Sequence, residues 1–398
     1  MTLPWPTWAA AGAGPLAVAA LLRSVAADCA GCAPEETPDP QPRWAGPAAA
    51  GGGTADYVSP LPARMAGAQR RPPGELAEEL ATRLSRVAGV DAAWLTRGNL
   101  LAVRVTASVR GSLLYAVGEG WDYLAGGGPG IAPSIGSPRA GVDSPGSDQW
   151  PRSRLEEADD LVTAIQWARG DTVARLGRFL DQPPMTRPVQ LRTPTWRDPY
   201  LDAPAGPGEA AQLLATIGEA STRFAACRGH SPRPHPADQT GPDLPAVPTP
   251  ATPGQWARNT AANPAMAVRY AHAHAWTTVH RWAPALGYSP LATTGQCSAA
   301  PAVGVLGSAL AAPLLGWLFD GPGFVASAAR RSRPHLLVRY LEGLCAAYHR
   351  WQDCCPVLPV TGDADRLAIA ARLTVCAAVA EVLATGVFLL GVSAPTRL

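Results

Sequence analysis

Proline and glycine constrain this chain before any other residue type. There are 42 prolines and 40 glycines among 398 residues, and they gather into runs. A proline has no backbone N–H to donate, and glycine loses more conformational freedom on ordering than any other residue. Neither helix nor sheet persists through such runs, so folded blocks must lie between them. Residues 1–56 are rich in Pro, Ala and Gly and end in Gly51-Gly52-Gly53; they read as extension or linker. Residues 125–208 open with Gly126-Gly127-Gly128-Pro129-Gly130 and stay proline-rich around one helical segment at about 155–180. Glycine runs cradle phosphate when they join a strand to a helix. Pro129 inside this run, with no clear helix behind it, makes 125–208 a linker. A further proline-rich break covers 230–254.

The blocks left between the breaks differ in character. Within 57–124, Leu76, Leu80, Leu84 and Val87 recur at helical spacing. Gly89-Val90-Asp91 then turns the chain. Residues 93–95 and 100–105 read as strands, with Leu101, Val103 and Val105 alternating onto one face. A second helix follows through Leu113, Leu114 and Val117. Residues 209–229 form one helical segment. From 255 onward the expected helices are 264–282, 301–319, 335–353 and 365–391, ended by Pro284, Gly321-Pro322-Gly323 and Pro356. The expected fold class is α+β and multidomain: a small N-terminal α/β domain at 57–124, a Pro/Gly-rich linker, and an all-α helical bundle at 209–398.

Charge and chemistry narrow the function. The formal net charge is +2, but residues 244–398 hold eleven arginines against six acidic residues. A basic C-terminal half hints at an anionic partner. All 33 basic residues are arginine. Without lysine, a Walker A loop and a Schiff-base mechanism are excluded. Eight cysteines stand at 29, 32, 227, 297, 345, 354, 355 and 376. Cys29 and Cys32 form a CxxC with no second pair, so no metal site is expected, and reduced thiols fit a cytoplasmic protein. The apolar stretch 9–22 is short and lacks a preceding basic residue, against a signal peptide. Residues 373–392 carry a single charge, Glu381, and are long enough to span a bilayer; they read instead as a buried helix, with no membrane partner.

Two stretches are distinctive. One runs Gln255-Trp256-Ala257-Arg258, then Asn263-Pro264-Ala265-Met266-Ala267-Val268-Arg269-Tyr270-Ala271-His272-Ala273-His274. The other runs Arg339-Tyr340-Leu341-Glu342-Gly343-Leu344, Tyr348-His349-Arg350-Trp351 and Pro356-Val357-Leu358, closing on Ala371-Arg372-Leu373 and the final Ala394-Pro395-Thr396-Arg397-Leu398. Together they resemble the DALR anticodon-binding domain of arginyl-tRNA synthetases over roughly 209–398. Pro73-Gly74-Glu75-Leu76-Ala77, Ala88-Gly89-Val90-Asp91 and Gly98-Asn99-Leu100-Leu101 resemble that family's N-terminal additional domain, which contacts the outer corner of tRNA. The resemblance implies tRNA, through its anticodon stem-loop, as partner.

What the resemblance does not supply is the catalytic centre. The family's His-x-Gly-His motif is absent, and its lysine loop cannot exist here. The 84 residues of 125–208 hold too little chain for several βαβ units of about 30 residues each, so they read as linker and degenerate core remnant. No catalytic residue and no cofactor is expected. Phosphate contacts are expected from Arg330, Arg331, Arg333, Arg339 and Arg350, whose forks bind two oxygens at once. Base stacking is expected from Tyr270, Tyr348 and Trp351, with His349 and Leu398 beside them. His272 reads as structural, and Trp276 as core. Two departures bear on recognition: His274 stands where the family often has Arg, and Gln352 where it often has Tyr, which removes a base platform. Three functions are weighed: a non-catalytic tRNA-binding paralogue, a protein-interaction module that has lost RNA binding, and an arginine–tRNA ligase with an unusual active site or one that a protein partner supplies.

Overall fold

The computed structural model describes residues 12–45, 55–96, 98–126, 150–181, 192–193, 208–231, 234–235, 237–292, 300–358 and 365–398. The Gly127-Gly128-Pro129-Gly130 run and Cys297 lie outside them.

The N-terminal part is built on a small antiparallel sheet. Helix α1 (Pro15–Ala30) leads to strand β1 (Arg43–Trp44), β2 (Tyr57–Ser59), α2 (Leu61–Gln69) and α3 (Pro73–Leu84). Strands β3 (Val90–Leu95) and β4 (Leu101–Val105) follow, then α4 (Ala107–Gly118) and the single turn α5 (Trp121–Leu124). The strand order is β1-β2-β4-β3, with Tyr57 opposite Val103 and Trp94 opposite Ala102. Leu101, Val103 and Val105 join the main core, as their alternation requires. The opposite face buries a second small cluster of Ala45, Ala55, Val58 and Ala102. Asp56 ties the unit together. It accepts the Val105 N–H at 2.8 Å and pairs with Arg110 at 2.8 Å, both side chains largely out of water.

Residues 1–56 were expected to be extension or linker, yet the described part of them is structural. Val18, Leu21, Leu22 and Val25 of α1 are buried, an i, i+3, i+4, i+7 stripe. Gly31 ends the helix in the left-handed region, and β1 then adds an edge to the sheet. The helical segment expected at about 155–180 is present and packed into the fold. Helix α6 (Leu161–Asp181) buries Ala164, Ile165, Leu176 and Phe179 in the main core.

The remaining elements follow in chain order. Strand β5 (Arg192–Thr193) precedes α7 (Glu209–Arg228), which kinks at Gly218, where φ 76° and ψ 156° suit glycine and little else. A short hairpin of β6 (Gln239–Gly241) and β7 (Leu244–Pro245) leads to α8 (Pro264–Thr277). A π-helical turn, Thr278–Trp282, extends α8. Then come α9 (Ala300–Leu306), α10 (Ala312–Arg330), α11 (His335–Cys354), α12 (Arg366–Leu389) and β8 (Ala394–Pro395). Strand β8 pairs in parallel with β5 over two residues.

The helix expected at 301–319 is two helices, and α10 runs through Gly321-Pro322-Gly323 instead of stopping there. Packing overrides the breaker: a Cβ on Gly321 would sit 2.5 Å from the Tyr340 hydroxyl and 2.8 Å from Leu124. Glycine is what lets α10 lie this close to α11 and α5. Helix α12, the apolar segment long enough for a bilayer, is buried from Ile369 to Leu389 on most of its surface.

One buried polar network joins α6, α7 and α12. Arg223, fully out of water, pairs with Asp171 and Glu219 at 2.8 Å each. Arg175 donates to the Phe388 carbonyl at 3.0 Å, satisfying the end of α12, and lies 4.3 Å over the Phe388 ring. Burial and nearby Arg223 push its pKa down to about 9.

Candidate nucleic-acid interface

The surface of interest is made where α8 crosses α11. Asn263 starts α8: its side chain accepts the N–H groups of Ala265 and Met266, and its amide donates to Trp256, Arg258 and Ser221. Pro264 at the first helical position needs no partner for its nitrogen. The helix buries Val268, Ala271, His272 and Ala275. That leaves Tyr270 and His274, one turn apart, on its outer side. Helix α11 buries Tyr340, Leu341, Leu344, Tyr348 and Trp351 and turns Arg339, His349 and Arg350 outward.

Aromatic rings line the crossing. Tyr270 is 49% exposed and stacks on His349 with centroids 5.9 Å apart and planes at 23°. Trp282 is 48% exposed and stands edge-on to His274 at 5.6 Å. The π-helical turn carries Trp282 out of the core, a local distortion of the kind often found at functional sites. Gln352 donates to His274 Nε2 at 3.0 Å and also shares a hydrogen bond with His349. With Nε2 accepting, His274 Nδ1 carries the proton and donates to the Tyr348 hydroxyl at 2.8 Å. Burial holds both His274 and His349 below the ordinary histidine range, with the two rings opposing each other's charge at His274. Two neutral imidazoles beside two exposed rings make a face that can stack bases and hydrogen-bond their edges.

The expected site residues divide. Tyr270 and His349 meet at this face, and Arg350 is exposed one residue further along α11. Arg330 ends α10 and Arg331 and Arg333 lie in the α10–α11 loop, Arg333 roughly 24 Å along α11 from His349 at 1.5 Å per residue. Arg339 is exposed between the two groups. Tyr348 and Trp351 are corrections: at 0% and 1% exposure they are core residues with no face to offer a base. Tyr348 acts instead as the support beneath His274. Leu398 is 37% exposed; its strand lies along α8, where Thr277 donates to the Thr396 carbonyl at 3.1 Å and His272 Nδ1 meets the Pro395 carbonyl at 2.9 Å. His272 is thus structural. Trp276 is only partly buried and stacks on His280 at 4.6 Å. Trp282 was missed because nothing in the sequence marks the π-helical turn that carries it.

Comparison with known proteins gives this geometry a context. Residues 309–398, from just before α10 to the end of β8 and beyond, match the family described as DALR anticodon binding domain. The class is therefore an α+β protein whose last helices form a DALR-type bundle. Arginine–tRNA ligases are similar to parts of it: that of Frankia alni is 39% identical over 141 residues, 35% of this chain and 24% of that protein. That of Pseudarthrobacter chlorophenolicus is 37% identical over 141 residues, and that of Paenarthrobacter aurescens 32% over 191, or 48% of this chain and 30% of that protein. The matched stretches span about a quarter of the length of the first two ligases. The Thermus thermophilus arginyl-tRNA synthetase structure aligns over 96% of this chain and 100% of that chain, with 13% identity and a TM-score of 0.40. Parts of the chain are thus related to arginyl-tRNA synthetases.

Proposed function

We propose that this chain is a non-catalytic tRNA-binding paralogue of arginyl-tRNA synthetase that grips the anticodon region through the α8–α11 face. The observation that carries the reading is the exposed pair Tyr270 and Trp282, set around His274, Gln352 and His349 at the edge of a DALR-type domain. Tyr270 and Trp282 stack splayed bases, and the neutral histidines with Gln352 contact base edges. Gln352 replaces an aromatic platform with a bridge that fixes two imidazoles. Arg350 and Arg339 take the flanking phosphates. The absence of lysine and of a His-x-Gly-His motif from the sequence supports the non-catalytic part of the reading. The unpaired thiols among the described cysteines support a reducing, cytoplasmic setting.

Filter binding with total tRNA at low salt tests the first part, since electrostatic affinity is greatest there. Saturable binding lost in Tyr270→Ala supports it; no binding at low salt ends it. Arginine-dependent charging of tRNA by the purified chain would overturn the non-catalytic part. A stoichiometric protein partner recovered without RNA would favour an interaction module instead.

A further inference from the structure

The N-terminal end of α11 carries a second cluster, apart from the aromatic face. No side chain caps this end, and its first turn holds no acidic residue, so the positive pole of the helix is uncompensated. His335, the first residue of the helix, is 4% exposed, and its Nδ1 is buried without a hydrogen-bond partner. An orphaned buried polar atom in a native fold asks for a missing partner. His230, just past the end of α7, lies face to face on the His335 ring, with centroids 4.2 Å apart and planes at 20°. Burial pushes His335 down to about 4, and His230, Arg339, Arg169 and Arg333 all push the same way.

The surrounding charges are unbalanced. Arg169 is committed to the carbonyls of Ala226 and Gly229, at 2.8 and 3.0 Å. Glu342, two turns further along α11, is taken by Arg228 at 2.6 Å. Arg333 and Arg339 are exposed, and their guanidinium groups have no acidic partner among the described residues. Stacked imidazoles among arginines tolerate each other only while neutral; an anion between them would reverse that preference.

We propose that the first turn of α11, with His335, His230, Arg333 and Arg339, is a phosphate-binding subsite. Helix dipole, forked guanidinium donors and a buried ring nitrogen together match the tetrahedral oxygens of a phosphate group. The group comes from an RNA backbone or from free phosphate; the first source rests on the tRNA-binding reading above. Phosphate binding favours the protonated form of His335, so affinity rises as pH falls toward the depressed His335 midpoint.

The test uses the full chain. Inorganic phosphate is titrated while the His335 C2 proton is followed by NMR across pH, and binding heats are measured near pH 5 and near pH 8, the lower value being closer to the depressed His335 midpoint. Phosphate should raise the His335 midpoint and bind more tightly at the lower pH. Arg333→Ala, at an exposed position, should weaken it about tenfold, one charge-assisted hydrogen bond. His335→Phe keeps the stack and removes the nitrogen; if that variant fails to fold, Arg333→Ala carries the test. An unmoved His335 midpoint together with undiminished phosphate binding in Arg333→Ala overturns the subsite. A synthetic anticodon stem-loop separates the sources. Weaker stem-loop binding in Arg333→Ala assigns the subsite to RNA. If phosphate moves His335 but no RNA binds, the subsite stands for free phosphate and the tRNA reading fails. If RNA binding depends on Tyr270 and is indifferent to Arg333 and to added phosphate, the subsite fails as an RNA contact and the tRNA reading stands.

Discussion

At the scale of single residues, the site turns on which aromatics face water. Tyr270 is half exposed and touches the fold mainly through His349, so Tyr270→Ala should leave thermal unfolding unchanged. It should weaken anticodon stem-loop binding by about 1–3 kcal/mol, the worth of one stacked base; fluorescence anisotropy with the stem-loop measures this, and an unchanged affinity would remove Tyr270 from the interface. Tyr348 should behave in the opposite way. Its hydroxyl is the acceptor for His274 and sits 3.9 Å from the Cys376 sulfur in a fully buried position. Tyr348→Phe leaves His274 Nδ1–H without that acceptor and should cost about 1–2 kcal/mol in chemical denaturation, with a smaller effect on RNA. The sequence could mark Tyr270, His349 and Arg350 as candidates because the two motifs that carry them are local, but the stack of Tyr270 on His349 joins two different helices and is not local. Burial of Tyr348 and Trp351 was not legible: every third or fourth position of α11 is apolar or aromatic, and which of them turns inward depends on where α12 packs. The link between Gln352 and His274, 78 positions apart, belongs to the crossing of two helices and leaves no trace in either motif alone.

At the scale of elements, close helix approaches decide stability. A Cβ on Gly343 of α11 would sit 2.3 Å from the Trp317 indole of α10. Alanine would gain about 1 kcal/mol in helix propensity, but displacing a rigid indole costs typically 1–3 kcal/mol. Gly343→Ala should therefore destabilise on balance, and a rise in unfolding midpoint would show that the indole moves aside freely. The seam between the sheet and α10 holds a titratable latch. Asp320 accepts the Trp44 N–H of β1 at 3.3 Å, beside the stack of Tyr57 on Phe319 at 4.6 Å. Burial raises its carboxyl from 3.8 to about 6, against the smaller opposing pulls of the Trp44 N–H and Arg43. The folded state thus holds a proton that the unfolded state has released between about pH 4 and pH 6, so this group's contribution to stability falls as pH rises through that window. Asp320→Asn keeps the acceptor and removes the charge. It should be more stable than the parent near pH 8, by on the order of 1 kcal/mol, with the difference closing as pH falls toward 4; denaturation at several pH values checks the sign. Elements of this kind were partly readable. The stripe Val18, Leu21, Leu22, Val25 has helical period in the sequence, but the Pro- and Gly-rich surroundings masked it as linker. Pro322 inside α10 ran the other way, a local breaker overruled by contacts with Tyr340 and Leu124 that only the assembled fold supplies.

At the scale of the whole molecule, one core runs from the sheet through α6 to α12, so the N-terminal unit is part of the platform on which the α8–α11 face is held. Tyr123 donates to the carbonyls of Leu318 and Phe319, Tyr115 to that of Leu291, and Trp121 packs edge-on against Phe388 at 5.6 Å. Gly120, at φ 45°, brings the α4–α5 turn against Glu381, where a Cβ would lie 2.8 Å from the glutamate's own. On that platform sits an uneven charge. The chain is only +2 overall, yet 244–398 carries eleven arginines to six acids, and Arg330, Arg331, Arg333, Arg339 and Arg350 line the outer side of α11 and its loop. Binding through these residues releases counterions from RNA, and for a single strand the slope of log K against log salt is about −0.7 for each phosphate engaged. If three to five arginines engage together, the slope should fall between about −2 and −3.5. Each of Arg339→Ala and Arg350→Ala should reduce its magnitude by about 0.7, while Tyr270→Ala should lower affinity at every salt concentration and leave the slope intact. Anisotropy titrations across a salt series separate the two effects. A slope near zero would mean that these arginines only solvate the loop and helix, and that whatever binds the aromatic face is held without them.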